Sequence, residues 1–327
     1  VTPRACHETE LVLTVAPVVR WVAVVGAGPA GLAAATTAAK RGHKVTLFEA
    51  DDQIGGQFNY AKRIPGKEEF YETLRYFQRQ IELLEIDLKL GTRVDAESLK
   101  AQGFDDVVIA TGVKPRTPSI EGIDHPKVLG YLDVLRHNKP VGKNVAVIGA
   151  GGIGFDVSEF LTHDFSHHPE GEQVSVADWQ AEWGVHPDFD GPGGLAERQP
   201  TPSPRKIYLM QRKTGKVGGG LGKTSGWVHR NSLKHREVEM LRGCRYERID
   251  DQGLHISVTD KEGKVTESRV LAVDNVIICA GQEPYRELFD ELSDSGVSAH
   301  LIGGADVAEE LDAKRAIRQG TEVAAKL

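Results

Sequence analysis

The stretch Val22–Ala35, VAVVGAGPAGLAAA, constrains this chain more than any other feature. A short apolar run leads into Gly26-x-Gly28-x-x-Gly31 and then into alanine-rich sequence, which predicts strand, tight turn and helix in succession. Gly26 permits the turn, Gly28 lets a pyrophosphate approach the backbone, and Gly31 lets helix and strand pack closely. The helix start, with Ala30, presents unpaired N–H groups and a positive dipole end to phosphate oxygens. A second strand, in KRGHKVTLFEA, ends at Glu49, near the roughly 20-residue offset at which a carboxylate accepts ribose hydroxyls.

The pattern recurs in VAVIGAGGIGFDVSEFL, with Gly149, Gly151, Gly152 and Gly154 in the turn and an amphipathic helix through Leu161. The next strand, KIYLMQRK, comes late and ends in Arg212 and Lys213, where the first unit has Glu49. A carboxylate repels a 2′-phosphate, whereas guanidinium and ammonium groups attract it. One acidic and one basic fingerprint point to two different nucleotides: FAD held permanently at the first, NADPH exchanging at the second. Hydride transfer is then the chemistry, carried by the cofactors. No acid–base residue is required for it, and none is assigned as catalytic.

The remaining elements build around these two turns. Gly55 and Gly56, followed by Gln57, form a doublet that can lie flat against a bulky ligand. Phe70, Leu74, Phe77 and Ile81 give a core-facing stripe on a helix expected over 68–84. IDLKLGTRV reads as a strand ending near Val94, where backbone meets an adenine edge. Buried strands run into the small residues Ala110, Thr111 and Gly112 in the first unit, and into Ala280 and Gly281 in the second. The C-terminal part offers a Gly303-Gly304 turn, Asp306 as an acceptor for a ribityl hydroxyl, and a helix start. The fold class expected is α/β, with two Rossmann-like domains and the NADPH domain inserted into the FAD domain. The FAD domain would take residues 1–127 and 285–327, the NADPH domain 128–284.

Other classes are disfavoured. A net charge of −7 argues against a general nucleic-acid binder. The three cysteines, Cys6, Cys244 and Cys279, are too few and too scattered for a disulfide scaffold. They form no C-x-x-C, and Cys244 and Cys279 read as core fillers in a reducing cytoplasm. The apolar stretch Leu11–Val25 is interrupted by Pro17 and Arg20 and is too short to span a bilayer, and no signal peptide is recognisable. His163, Asp164, His167 and His168 stand in an irregular insertion of about 162–204 without complementary ligands, so no metal site is expected. That insertion is expected to pack Trp179 and Trp183 onto the second domain. VGGGLGKTS lacks the first Walker glycine, having Val217 there, and reads instead as a loop beside NADPH with Lys223 as a phosphate contact.

At the level of longer stretches, IGGQFNYAKRIPGKEEFYETLRY, GLGKTSGWVHR, AVDNVIICAGQEP and LIGGADVAEELDAKRAIRQG resemble the bacterial NADPH-dependent 2,4-dienoyl-CoA reductases, over essentially the whole chain. In that family the intact polypeptide is about twice as long. An N-terminal barrel carrying FMN and a four-cysteine 4Fe–4S site precede a segment like this one, and electrons pass from NADPH through FAD, cluster and FMN to the thioester. The resemblance implies that VTPRACHETE is a cut edge and that the partner of this chain is the missing barrel half. It also implies FAD contacts at Gly26, Gly28, Ala30, Gly31, Glu49, Gln57, Lys67 and Val94, with Asp306 and Gln319 near the flavin, and NADPH contacts at Gly149, Gly151, Gly154, Arg212 and Lys213. Alternatives left open are an enoate reductase or amine dehydrogenase relative, and a structural FAD-binding module that passes no electrons.

Overall fold

The computed structural model describes residues 8–10, 12–165, 174–293, 296–308 and 312–327. Its leading stretch runs β1 (Trp21–Val25), α1 (Pro29–Lys40), β2 (Lys44–Phe48), α2 (Phe58–Ala61), α3 (Phe70–Leu83), β3 (Asp87–Lys89), α4 (Ala96–Gln102), β4 (Asp106–Ile109) and β5 (Val113–Pro115). The middle runs β6 (Val128–Gly130), α5 (Tyr131–Leu135), β7 (Asn144–Ile148), α6 (Gly152–Leu161), α7 (Val176–Trp183), β8 (Lys206–Met210) and α8 (Gly226–His235). There follow β9 (Glu239–Leu241), β10 (Cys244–Asp250), β11 (Gly253–Thr259), β12 (Val265–Leu271), β13 (Asn275–Ile278), β14 (Gln282–Pro284), α9 (Glu287–Ser293), β15 (Ala299–Leu301) and α10 (Ala313–Ala324). The chain divides into two compact units, one of residues 1–59, 69–114 and 282–327, the other of 60–68 and 115–281.

The first unit is a five-stranded parallel sheet in the order β15-β4-β1-β2-β3. β1 is a central strand buried on both faces, which is why it reads as an unbroken apolar run rather than an alternating one. The alanines of α1 keep that helix thin enough to lie between the sheet and α10, and Ala30 through Ala38 are all buried. Gly320 makes the crossing possible: a Cβ there would fall 2.2 Å from Ala30 O. The expected helix over 68–84 is α3, where Phe77 and Ile81 are buried and Phe70 and Leu74 are partly so. The strand expected to end near Val94 stops at Lys89, because the chain turns at Gly91 in the left-handed region. Likewise, Asp306 follows a 3-10 turn, Gly303–Ala305, and the last helix begins only at Ala313, capped by Asp312.

The second unit repeats the parallel arrangement as β6-β13-β7-β8-β9 and adds the antiparallel sheet β10-β11-β12. It begins at Pro115, before the expected 128, because Ile120 and Ile123 pack into its core beside Ile249 and Val276. Its other end is 281, where β14 leaves to pair with β5. Residues 60–68 also count with this unit, since Ile64 is 2% exposed within its core. Burying one such side chain is worth roughly 1.5–3 kcal/mol.

The insertion is less irregular than its composition suggests. Ser175 caps α7 by accepting the Asp178 N–H, and Gly184 ends it in the left-handed region. Only one of the two tryptophans packs as expected: Trp183 meets His235 of α8 edge-on, whereas Trp179 stays 49% exposed and stacks loosely on Trp183. An ion pair at 2.8 Å between Glu182 and the buried Arg236 ties the insertion to α8. Among the described residues no helix is long and apolar enough to cross a membrane.

Candidate functional site: two equivalent glycine turns

Both glycine turns are built the same way, from the ladder upward. Gly26 N–H donates to Phe48 O at 2.8 Å and Gly149 N–H to Met210 O at 3.0 Å, each tying the end of its strand to the neighbour. Gly26 and Gly149 have φ of +102° and +112°, and a Cβ on them would fall 2.4 Å from Ala110 O and 2.3 Å from Cys279 O. Gly31 and Gly154, one helical turn later, would place a Cβ 1.8 and 1.7 Å from the carbonyl oxygens of Gly26 and Gly149. These four positions therefore accept no side chain: at Gly26 and Gly149 because φ is positive and the chain leaving the neighbouring strand lies against them, at Gly31 and Gly154 because the helix crosses close over the turn. α1 and α6 then start at Gly28 and Gly151 with no side-chain cap and no acid in the first turn. Their first amides point out unpaired, an arrangement suited to phosphate oxygens.

The surroundings differ in a way that bears on the ligand. In the first unit Glu49 Oε2 accepts the Ala27 N–H at 2.7 Å and Oε1 the Asp51 N–H at 2.9 Å. Gly56, at φ +50°, comes against Gly28, with a Cβ on Gly56 only 3.0 Å from the Gly28 Cα, so this loop passes close to the turn. In the second unit Gly151 and Gly152 are exposed, and a Cβ on either would meet nothing within 4 Å.

The strand registers correct one detail of the sequence reading. Val25 pairs with Phe48 and Ile148 with Met210, so the residue equivalent to Glu49 is Gln211, and Arg212 and Lys213 stand one and two positions further on. Gln211 turns its amide back to Lys213 O and Gly215 O, both at 2.9 Å, which shapes the loop. Arg212 and Lys213 are exposed, and neither forms an ion pair among the described residues. Sequence reasoning passed over Gln211, whose only signal was its place directly after the strand.

Of the residues expected at FAD, all but Lys67 fall in the first unit; all those expected at NADPH fall in the second. Asp306 and Gln319 are brought together: Gln319 Nε2 donates to Asp306 Oδ2 at 2.8 Å, and Gln319 Oε1 accepts the Gly303 N–H at 2.8 Å. Gly303, beside Gly304, packs on Ala30, so this pair stands over the start of α1. Thr111 Oγ1 donates to Tyr285 O, and Gly112 O accepts the Tyr285 N–H at 2.9 Å. Arg116 likewise donates from its guanidinium to Ala280 O and from its backbone to Gly281 O. Gln57 is exposed, and Val94 packs with Phe48 and Ile109. Lys67 belongs to the second unit, where its ammonium grips Asp156 of α6.

Of the cysteines and histidines, Cys244, Cys279 and His163 have structural places. Burial pushes the Cys244 thiol up to about 11 and raises that of Cys279 further, so neither is a reactive thiolate. His163 bonds through Nδ1 to Glu159 O at 2.8 Å; His167, His168 and Cys6 lie outside the described residues. Val217 is buried and Lys223 exposed in the loop before α8.

Comparison with known proteins agrees with this geometry. Residues 20–315 match the family model of the pyridine nucleotide-disulphide oxidoreductases. The chain is 30% identical over 316 residues to a bilirubin reductase of Mediterraneibacter gnavus, covering 96% of this chain and 42% of that one. It is 26% identical to a cinnamate reductase of Clostridium sporogenes, covering 95% and 40%. A solved 2-naphthoyl-CoA reductase superposes with a TM-score of 0.80 at 26% identity, covering all of this chain and 43% of that one. The chain thus spans less than half the length of each of these relatives.

Proposed function

Because this chain belongs to the pyridine nucleotide-disulphide oxidoreductase family, whose members use FAD and NAD(P)H, we propose that it is the electron-input module of a flavoenzyme that reduces conjugated carbon–carbon double bonds. The first glycine turn would hold FAD and the second NADPH, which would supply the hydride. When bound, FAD supplies the two-electron redox chemistry. The residues of the chain bind and align: the amides at the starts of α1 and α6 take the pyrophosphates, Glu49 the ribose, and Asp306 with Gln319 the flavin end. The observation that carries the reading is the contrast between the two turns, one closed by a carboxylate and one flanked by two unpaired cations.

The finer reading is a reductase of the 2,4-dienoyl-CoA type working in unsaturated fatty acid β-oxidation in the cytoplasm. The longer protein would then carry a 4Fe–4S cluster and FMN on an N-terminal barrel half, which would supply the onward redox chemistry. Its support is the set of extended matches in the sequence, together with relatives named for reducing cinnamate and 2-naphthoyl-CoA. Anaerobic titration of the FAD-reconstituted chain with NADPH and with NADH tests the first part. Bleaching of oxidised flavin by NADPH, and little by NADH, is the expected result; no bleaching despite bound FAD would overturn it. Assay of the longer protein against dienoyl-CoA, cinnamate-type acids and secondary or tertiary amines tests the second. Turnover of amines alone would exclude the dienoyl-CoA reading.

A further inference from the structure

Residues 60–68 count with the second unit although the chain on either side of them belongs to the first. Their anchorage is apolar and backbone-mediated. Ile64 is buried in the second core, and the Arg63 guanidinium donates to Leu135 O and lies over the Phe160 ring. Lys67 N–H closes a turn onto Ile64 O at 2.9 Å, which sets the direction of the lysine. Its ammonium then meets Asp156 Oδ1 at 2.6 Å and Oδ2 at 2.7 Å. The two side chains are 30% and 23% exposed, and ion pairs that accessible contribute little to stability. Ile64 already anchors the segment in the second core, and the pair sets the charge beside α6.

What the pair changes is the field at the second glycine turn. Asp156 stands on α6 just beyond its first turn, which carries no acid and whose amides are uncapped. A bare carboxylate there would oppose the attraction of the helix end for a phosphate. Its charge also reaches Cys279, whose carbonyl backs Gly149. His229, close to both partners, is held below the usual imidazole range, by burial first and by the Lys67 charge second. Lys67 is therefore the cation that cancels Asp156.

We propose that Lys67 is a positioning residue for the pyridine nucleotide: by pairing with Asp156 it keeps the α6 end attractive to the pyrophosphate, without touching the ligand. This rests on the reading of the second turn as the NADPH site. Calorimetric titration of NADP+ into the purified chain and its variants tests it, with bound FAD and melting temperature recorded for each. Lys67→Gln is expected to weaken NADP+ binding about three- to tenfold, a deficit that shrinks at high salt. Lys67→Arg should bind like the native chain. Asp156→Asn, with its negative charge gone, should bind as tightly or more tightly, which a purely structural role would not produce. Lys67→Gln combined with Asp156→Asn should recover native affinity.

Unchanged affinity in Lys67→Gln would overturn the proposal, and lost FAD with that unchanged affinity would return Lys67 to the flavin. A double variant as weak as Lys67→Gln alone would make Lys67 a direct phosphate ligand instead and equally overturn it. Failure of the native chain to bind NADP+ at all would reject the underlying reading of the site, a result distinct from any difference among variants.

Discussion

Glu49 Oε2 accepts the Ala27 N–H at 2.7 Å, so the acid at the end of β2 braces the glycine turn itself. Its second oxygen takes the Asp51 N–H. Glutamine has one acceptor oxygen and must leave one of these amides unmet. Glu49→Gln should therefore cost about 1–2 kcal/mol in the FAD-free chain, read by chemical denaturation. Full stability without FAD, with loss only of flavin affinity, would mean that Glu49 serves the ligand alone.

Two glycines, one from each turn, should respond differently. Gly31→Ala drives a methyl into Gly26 O and is expected to cost about 3 kcal/mol or more, or to prevent folding. Gly151→Ala meets nothing within 4 Å at a φ of −86°, so the melting temperature should hardly move. The added methyl nonetheless narrows the cradle at the α6 start, and NADPH affinity should fall by about tenfold.

Arg212 and Lys213 should set the choice between phosphorylated and unphosphorylated nicotinamide dinucleotides. Replacing either with Ala is expected to raise KM for NADPH about five- to tenfold and to leave KM for NADH nearly unchanged. Flavin reduction measured with both donors checks this. Equal losses with both would place the cations at the shared pyrophosphate instead.

Asp106 gives the first unit an acid-sensitive joint. It is 1% exposed, and although burial pushes its carboxyl up, hydrogen bonds from His300, Arg20 and Ser298 outweigh that and hold it below the usual range. A depressed folded pKa stabilises fully above the unfolded value of about 3.9, and the contribution is lost as pH falls through the folded value. Asp106→Asn should cost about 1–3 kcal/mol at pH 7, with the gap from the native chain closing in acid. Denaturation midpoints for both proteins across pH 3–7 provide the measurement; a gap independent of pH would assign the loss to packing.

Legibility followed the range of the forces involved. The two strand–turn–helix units are plain in the sequence because an apolar run, a glycine turn and a helix follow one another within about 15 residues of chain in each. The one-residue offset of Arg212 from Glu49 was hidden, since strand ends are decided by the ladder partner rather than by the strand's own composition. α7 was hidden as well, because its stop depends on a left-handed Gly184 and its attachment on Glu182 finding Arg236. Lys67 lies only 18 residues from Glu49 in sequence, yet the burial of Ile64 carries it to the second unit.

By itself, then, the sequence determined the α/β class, the duplicated glycine turn and the opposite charge that follows each, because the positive φ of Gly26 and Gly149 and the close approach of Gly31 and Gly154 to them are set within one turn of chain. Tertiary structure alone decided which distant carbonyls those glycines must clear and that Gln319 would hold Asp306. It also decided that Gly320 would let α10 onto α1 and that Lys67 would answer Asp156. Those relationships join residues far apart in the chain, and they exist only once burial of the two cores has closed the loops between them.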